Sequence, residues 1–329
     1  MHSGIQNLAR KAFHSLGALH LVRGYHRSSL RVLLYHRFTS PERNLQDRVV
    51  RQCEHLRRHY SPVSENRVLE WFAGGPPLPP NAVLVSVDDG HEDFYSAGWP
   101  IFASFDIPVL VFLVSEFIDG KLWLWFDKVR YAFRRTSLPR AHVAFGPGDR
   151  LDLDLDSVVT REDSRLKFAG RLKALPESDR LHWAEEIARV LEVDLPSDPP
   201  PEYRAMTWDH VAAAAAQGAS FGAHTRTHPI LSRLNGAGCE YEEIDGSKRR
   251  IEERLGVPVR SFAYPNGHPG DFTDTTVDAV RRAGFALSFT AESALIPRPC
   301  DPFQIPRVAV DAALPDLYYR QLLAGFRVQ

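Results

Sequence analysis

The stretch NAVLVSVDDGHEDF, residues 81–94, is the part of the chain that decides the fold class. It contains a run of apolar residues from Ala82 to Val87, broken only by a serine, and then two adjacent aspartates, Asp88 and Asp89. A strand with apolar residues on both faces is typical of a parallel sheet that helices cover on either side. Two carboxylates at the end of such a strand repel each other and must find partners.

The same pattern continues on both sides of this stretch. RVLLYH (31–36) and PVLVFLVS (108–115) predict two more strands, and segments with helical spacing lie between them. The alternation resumes at residue 207, where further strands are predicted in ASFGAH, SFAYP, ALSFT and FQIPRVAV. About seven strands that alternate with helices predict an α/β fold, a distorted and incomplete (β/α)7 barrel.

Residues 117–206 break this alternation. AHVAFGPGDRLDLDLD predicts a hairpin, two helical segments follow it, and LPSDPPPEY reads as a stiff connector. We therefore expect three parts in the chain. Residues 1–30 form a basic N-terminal arm, residues 31–116 and 207–329 form the barrel, and residues 117–206 are an inserted, mostly helical subdomain.

The composition excludes several classes of protein. The chain has 329 residues, of which 44% are hydrophobic and 25% charged, and its formal net charge of −1 indicates no nucleic-acid partner. No apolar run reaches the ~18 residues of a membrane span. The three cysteines form no CxxC pair, so neither a disulfide framework nor a thiolate zinc site is indicated.

The N-terminal arm is basic, because no acidic residue precedes Glu42. Its apolar residues fall near one helical face, which predicts a helix packed on the domain or resting on an anionic membrane surface. The arm and the cysteines favour the cytoplasm or the inner face of the membrane. The oligomeric state is left open.

Polar residues follow several of the predicted strands, and the carboxyl ends of barrel strands meet at one face. His224 and His228 have three residues between them, and on one helical turn they would share a face and bind one metal ion. With a carboxylate such as Asp89 they would form a divalent-metal site with open coordination positions. Asp88 would then be free to take a proton from a water molecule at the metal.

Two motifs resemble those of the polysaccharide deacetylases, the NodB-homology or carbohydrate esterase family 4 enzymes. SVDDG resembles their Thr-Phe-Asp-Asp-Gly motif, and HTRTHP matches their His-Ser/Thr-x-x-His-Pro motif at every fixed position. The motifs stand in the family's order, about 135 residues apart. The resemblance spans residues 31–115 and 207–310 and leaves the insertion uncovered.

The resemblance implies hydrolytic removal of acetyl groups from N-acetylated or O-acetylated sugars of a glycan. It also implies a divalent metal, most often zinc, with nickel and cobalt as alternatives. For the location of the protein, the resemblance implies the cell envelope or the extracellular space as the alternative to the cytoplasm and the inner face of the membrane. Carried over residue by residue, Asp89, His224 and His228 would be the metal ligands and Asp88 the general base.

The third motif of the family, Arg-x-Pro-aromatic, is not preserved. In AYPNG an alanine replaces the arginine and Asn266 replaces the aromatic residue, while Tyr264 and Pro265 remain candidates for substrate binding. We expect the backbone N–H of Asn266 to donate to the oxyanion. Arg307, in QIPRVAV, is the candidate for the missing partner of Asp88.

The late Leu-x-x-His motif, source of the family's general acid, is also absent. LLYHRF resembles the early Tyr-His segment of the exopolysaccharide-associated subgroup, so His36 is the first candidate for the acid and His268 the second. Trp123 and Trp125 either stack on sugar rings or pack inside the insertion.

Two other functions stay open at this point. The chain could be a metal-dependent amidase acting on a small non-carbohydrate amide, since AYPNG departs from the family pattern. It could also be a catalytically inactive barrel that binds glycans. The leading interpretation is a hydrolase acting on carbon–nitrogen bonds other than peptide bonds, a glycan deacetylase.

Overall fold

A computed structural model describes residues 17–40, 45–236 and 238–326 of the chain. Most of the predicted N-terminal arm lies outside these residues, and the described part of it contains one helix, Ala18–Tyr25. The strands, in chain order, are β1 (Arg31–Tyr35), β2 (Ser61–Pro62), β3 (Ala82–Val87), β4 (Val109–Leu113), β5 (Arg140–Gly146), β6 (Asp149–Asp154), β7 (Ser220–Ala223), β8 (Ser261–Ala263), β9 (Leu287–Phe289) and β10 (Val308–Ala309).

The remaining α-helices lie between the strands or follow the last of them. They are Gln46–His59, Glu65–Phe72, Trp99–Ser104, Ser115–Ile118, Trp125–Arg135, Val158–Lys173, Glu177–Val190, Trp208–Ala216, Cys239–Leu255, Asp274–Arg282 and Asp316–Ala324. A π-helical turn, Phe94–Gly98, runs directly into the helix Trp99–Ser104, and short 3-10 turns occur at Pro201–Tyr203 and Leu231–Arg233.

The central sheet is a curled, parallel half-barrel. Its strand order is β10–β1–β3–β4–β7–β8–β9, with β2 paired to β3, and every pairing of strands in it is parallel. Between its edges, β9 and β10, the structure shows an isolated bridge from Phe289 to Ile305. The predicted distorted, incomplete (β/α) barrel is therefore confirmed.

Burial explains why these segments form strands. All six residues of β3 and all five residues of β1 and of β4 are buried, as expected for strands covered on both faces. The helix Gln46–His59 buries Val49, Cys53 and Leu56 against this sheet, at the spacing that the sequence predicts. The consequence for the site is geometric, because parallel strands bring their carboxyl ends to one face.

The segment predicted as an insertion has its own apolar core. The antiparallel hairpin of β5 and β6 packs with the helices Trp125–Arg135, Val158–Lys173 and Glu177–Val190 around buried residues such as Val129, Phe168 and Ile187. The domain boundaries themselves remain a prediction. Within the described residues, no helix is both long enough and apolar enough to cross a lipid bilayer.

Candidate active site

Polar residues from several strand ends meet in one cavity of about 440 Å³. His36 follows β1, Asp88 and Asp89 follow β3, and His224 follows β7. Residues of the helix Val158–Lys173, in the insertion, also line this cavity. The sheet therefore brings together residues that lie far apart in the sequence.

Asp89, His224 and His228 form the group that is suited to hold a metal. One ligand atom from each lies within 4.8 Å of the others, and all three residues are buried. Asp89 Oδ1 is 3.7 Å from His224 Nε2 and 3.5 Å from His228 Nε2. Neighbouring ligands of a tetrahedral zinc ion, at bond lengths of about 2.0–2.2 Å, stand about 3.3–3.6 Å apart.

The hydrogen bonds of these side chains show that the group fits a cation. His224 Nδ1 lies 2.7 Å from the carbonyl oxygen of Ala263 and must donate to it, so Nε2 carries no hydrogen. That nitrogen faces Asp89 Oδ1, which is buried without a hydrogen-bond donor among the described residues. When the Asp89 carboxylate is ionised, both facing atoms carry only lone pairs, and a cation between them would remove their repulsion.

The protonation states also suit metal binding. Burial lowers the pKa of His224, and burial followed by the neighbouring His224 lowers the pKa of His228 well below its usual value. Both rings are therefore neutral at neutral pH, as metal ligands must be. Burial, followed by the charges of Asp88 and Asp127, raises the pKa of Asp89 well above its usual value. A divalent ion would offset this cost and keep the carboxylate ionised.

The two histidines do not share a helical turn, so that part of the prediction is wrong. Residues 224–228 form a loop after β7, in which Thr225 has φ 66° and His228 has φ 63°. The Thr225 hydroxyl donates to the carbonyl of His224 at 2.5 Å and accepts the backbone N–H of His228 at 3.0 Å. This turn, rather than a helix, aims both rings at Asp89.

Left-handed backbone is concentrated at the site. Seven described residues other than glycine have positive φ, and four of them are Asp89, Thr225, His228 and Asn266. Such conformations cost on the order of 1–3 kcal/mol each and persist where the surroundings impose them. The strain indicates that the positions of these side chains are maintained at some cost in stability.

Arg307 binds Asp88 in the way the sequence predicts. Its Nη1 donates to Oδ1 at 2.7 Å and its Nη2 to Oδ2 at 2.8 Å, and the guanidinium is fully buried. Burial alone would raise the pKa of Asp88, but the charges of Arg307 and then His224 bring this pKa below its usual value. Asp88 is therefore ionised at neutral pH, and its catalytic role remains a proposal.

Three further predicted residues line the cavity. His36 and His268 are both exposed there, and Asn266 has φ 58° and a side-chain Nδ2 that is buried without a hydrogen-bond acceptor among the described residues. The cavity walls lower the pKa of His36 to about 4, against an opposing effect of Asp88. Because the ring of His36 is exposed to solvent in the cavity, we expect its pKa to be lowered less than the pKa of a histidine enclosed in the protein core.

The structure argues against three of the predicted substrate contacts. Tyr264, Pro265 and Trp123 are buried and do not line the cavity. The hydroxyl of Tyr264 donates to the carbonyl of Phe303 at 2.9 Å, and the ring of Trp123 packs against Tyr131 and Tyr203. Trp125 does line the cavity, although it also belongs to the core of the insertion.

A buried network behind Asp89 is absent from the sequence-based prediction. His91 Nε2 lies 2.6 Å from Asp127 Oδ2, and His91 Nδ1 lies 3.8 Å from Asp89 Oδ2. Arg37 Nη1, on the other side, is 3.8 Å from Asp127 Oδ1. His91 stands two residues after Asp89 and could have been suspected from the sequence. Asp127 lies in the insertion and belongs to no recognisable sequence motif.

Comparison with known sequences supports the resemblance over part of the chain. The polysaccharide deacetylase family model matches residues 182–288, which include both histidines of the HTRTHP motif. The poly-beta-1,6-N-acetyl-D-glucosamine N-deacetylases of Escherichia coli strains K12 and O157:H7 are each 38% identical over 60 residues. These 60 residues are 18% of this chain and only 9% of the length of either relative.

Comparison with solved structures covers most of the chain. IcaB from Ammonifex degensii matches with a TM-score of 0.57 and 21% identity, over 90% of this chain and 96% of that one. The Streptococcus pyogenes deacetylase PplD, in complex with acetate, matches with a TM-score of 0.59 and 16% identity, over 91% and 99% of the two chains. At these identities the likeness concerns the fold.

The resemblance to polysaccharide deacetylases is therefore confirmed by the family model over residues 182–288 and by the Escherichia coli enzymes over 60 residues, and the solved structures share the fold over most of the chain.

Proposed function

We propose that the protein is a metal-dependent hydrolase that removes acetyl groups from amino sugars of a glycan. The observation that carries the proposal is the pairing of the ionised Asp88, bound by Arg307, with the adjacent group of Asp89, His224 and His228. The names of the curated relatives and of PplD support the same reaction class.

The chain's own residues divide the work of the reaction. A divalent ion held by Asp89, His224 and His228 would supply Lewis-acid chemistry that polarises the acetyl carbonyl and lowers the pKa of water. Asp88 accepts the proton of the water as its oxygen bonds to the acetyl carbon. The N–H groups of Asn266 donate to the developing oxyanion. The carbon–nitrogen bond then breaks, and the proton that Asp88 accepted passes through His36, which lines the same cavity, to the leaving amine.

The choice of general acid leads to a first prediction. We expect His36→Gln to lower kcat for an N-acetylated substrate by about 10²–10⁴-fold with little change in KM, since a positioned proton donor acts in the transition state. The matched variant is His268→Gln, which removes the other exposed histidine of the cavity. A larger loss in His268→Gln than in His36→Gln would reverse the assignment.

Metal dependence and substrate are tested together. We expect acetate release from N-acetylglucosamine oligomers to stop when a chelator removes the metal, and to return when zinc, nickel or cobalt is added back. O-acetylated oligomers and small acyclic and cyclic amides complete the panel. Turnover of the small amides alone would favour the amidase, whereas purified protein without stoichiometric metal would favour a glycan-binding barrel.

A further inference from the structure

A second cavity of about 460 Å³ continues from the candidate active site along the insertion. Arg37, Arg130, Arg165 and Asp311 line both cavities, so the two are contiguous. We call the combined surface along the helix Val158–Lys173 the basic groove. Because the groove extends beyond the candidate active site, a substrate whose acetyl group occupies that site could also contact the groove.

Cations outnumber carboxylates along this groove. Apart from Asp88 and Asp89, the described residues that line the two cavities include six cationic and three acidic side chains. The cations are Arg37, Arg130, Arg134, Arg161, Arg165 and Lys173, and the carboxylates are Glu162, Glu202 and Asp311. A bound divalent metal would add to the positive charge at one end.

Several of these cations already have acidic partners. Arg37 lies 3.0 Å from Asp93, and Arg130 lies 3.5 Å from Asp127. Arg165 pairs with Glu162 through two hydrogen bonds of 2.5 and 2.7 Å. These three pairs leave only part of each guanidinium charge for a ligand.

Arg161 and Lys173 differ from them. Arg161 donates from Nη2 at 2.9 Å and from Nε at 3.3 Å to the backbone carbonyl of Leu155, which satisfies two N–H groups without neutralising the charge. Lys173 is half-buried in the wall of the cavity and has no ion pair with a described carboxylate, although Asp271 acts on it from a longer distance. A partly desolvated ammonium without a carboxylate in direct contact is costly, and an anionic ligand would reduce this cost.

The spacing of these two residues restricts the ligand. They are twelve residues apart on one helix, which corresponds to about 18 Å at 1.5 Å per residue. Arg165 lies between them, four residues after Arg161 and eight before Lys173, and each of the three lines at least one of the contiguous cavities. One small anion cannot reach both ends, whereas a polymer with repeated anionic groups can.

We propose that the substrate is an acidic glycan, whose carboxylate or phosphate groups lie along the basic groove while its acetylated sugar occupies the metal site. The proposal rests on the proposed deacetylase function and narrows its substrate class. Leu166, which is 56% exposed, lines the same cavity and offers apolar surface to the sugar rings.

The test compares three N-acetylated oligosaccharides of equal length, one neutral, one with uronate residues and one with phosphate groups. We expect kcat/KM to be at least tenfold higher for one of the acidic oligosaccharides, and the advantage to shrink at high salt. The double variant Arg161→Gln/Lys173→Gln should reduce this preference about tenfold. Lys167→Gln, on the same helix but paired with Asp163 outside the groove, should retain it.

The proposal would be overturned if kcat/KM for the neutral oligosaccharide equals kcat/KM for the acidic ones and the double variant leaves the ratio of these values unchanged. If wild-type protein releases no acetate from any of them, the deacetylase function fails instead. In that case calorimetric titration of the full chain with the two acidic oligosaccharides tests the basic groove separately. Tight binding by the wild type that the double variant loses would support the groove as a binding site for anions. Equal binding by the wild type and the double variant would refute it.

Discussion

Asp89→Asn is expected to abolish stoichiometric metal binding and to lower acetate release by about 10³-fold or more, because Lewis-acid stabilisation amounts to several kcal/mol. The structure predicts an opposite effect on the metal-free protein. Burial and the charges of Asp88 and Asp127 raise the pKa of Asp89, so an ionised Asp89 is unfavourable when no cation is present. A neutral asparagine removes this repulsion.

Thermal unfolding with and without metal separates the two effects. In the presence of a chelator, Asp89→Asn should be at least as stable as the wild type. With added metal only the wild type should gain stability, because a ligand that binds the folded state shifts its unfolding equilibrium. Asp152→Asn, at a position whose side chain is 74% exposed, is the matched control and should behave as the wild type. A metal-dependent rise in Tm for Asp89→Asn would contradict the assignment of this ligand.

Arg307→Ala is expected to be the most destabilising single change at the site. It leaves the buried Asp88 carboxylate without its bidentate partner, and breaking a buried ion pair in this way costs about 3–5 kcal/mol. In the wild type the pKa of Asp88 lies below its usual value, so the pair stabilises the fold above the unfolded pKa of about 3.9 and this contribution is lost as the pH falls.

In the variant, burial dominates and the pKa of Asp88 rises. The difference in unfolding free energy between wild type and variant should therefore be largest near neutral pH and should narrow toward acid pH. The acid limb of kcat should move to higher pH, since the base must be ionised. Denaturant unfolding and pH–rate profiles measure these effects.

Two comparisons make this test specific. Asp88→Asn combined with Arg307→Ala should cost less stability than the two single changes added together, because the single changes each leave one charge unpaired. Arg281→Ala removes a guanidinium that is 48% exposed and paired with Asp278, and we expect it to cost less than 1 kcal/mol. An unchanged acid limb in Arg307→Ala would exclude a role for Arg307 in holding the base.

Much of the fold could be predicted because the signals are periodic and local. The two-sided apolar runs of β1, β3 and β4 leave few alternatives to a parallel sheet. Asp88, Asp89, His224 and His228 could be placed together because strand ends of such a sheet converge. Arg307 could be named because the expected arginine is missing from AYPNG and because QIPRVAV supplies one within the last predicted strand segment.

Other parts of the site depend on tertiary contacts without a local signal. The left-handed turn at Thr225 and His228 is set by the hydroxyl of Thr225, so the spacing of the histidines alone wrongly suggested a helix. Tyr264 follows a strand end like the site residues, yet its ring turns into the core. The approach of Asp127 to His91 depends on how the insertion packs on the barrel.

That last contact means that the insertion and the barrel cannot be treated as separable modules. Asp127 is fully buried, and its partners His91 and Arg37 belong to the barrel strand ends. Excision of residues 117–206 would remove the 2.6 Å partner of His91 and one of the two carboxylates near Arg37, next to a metal ligand. We therefore expect the smallest active fragment to contain the insertion, and amide-exchange protection in the helix Trp125–Arg135 to increase when metal is added.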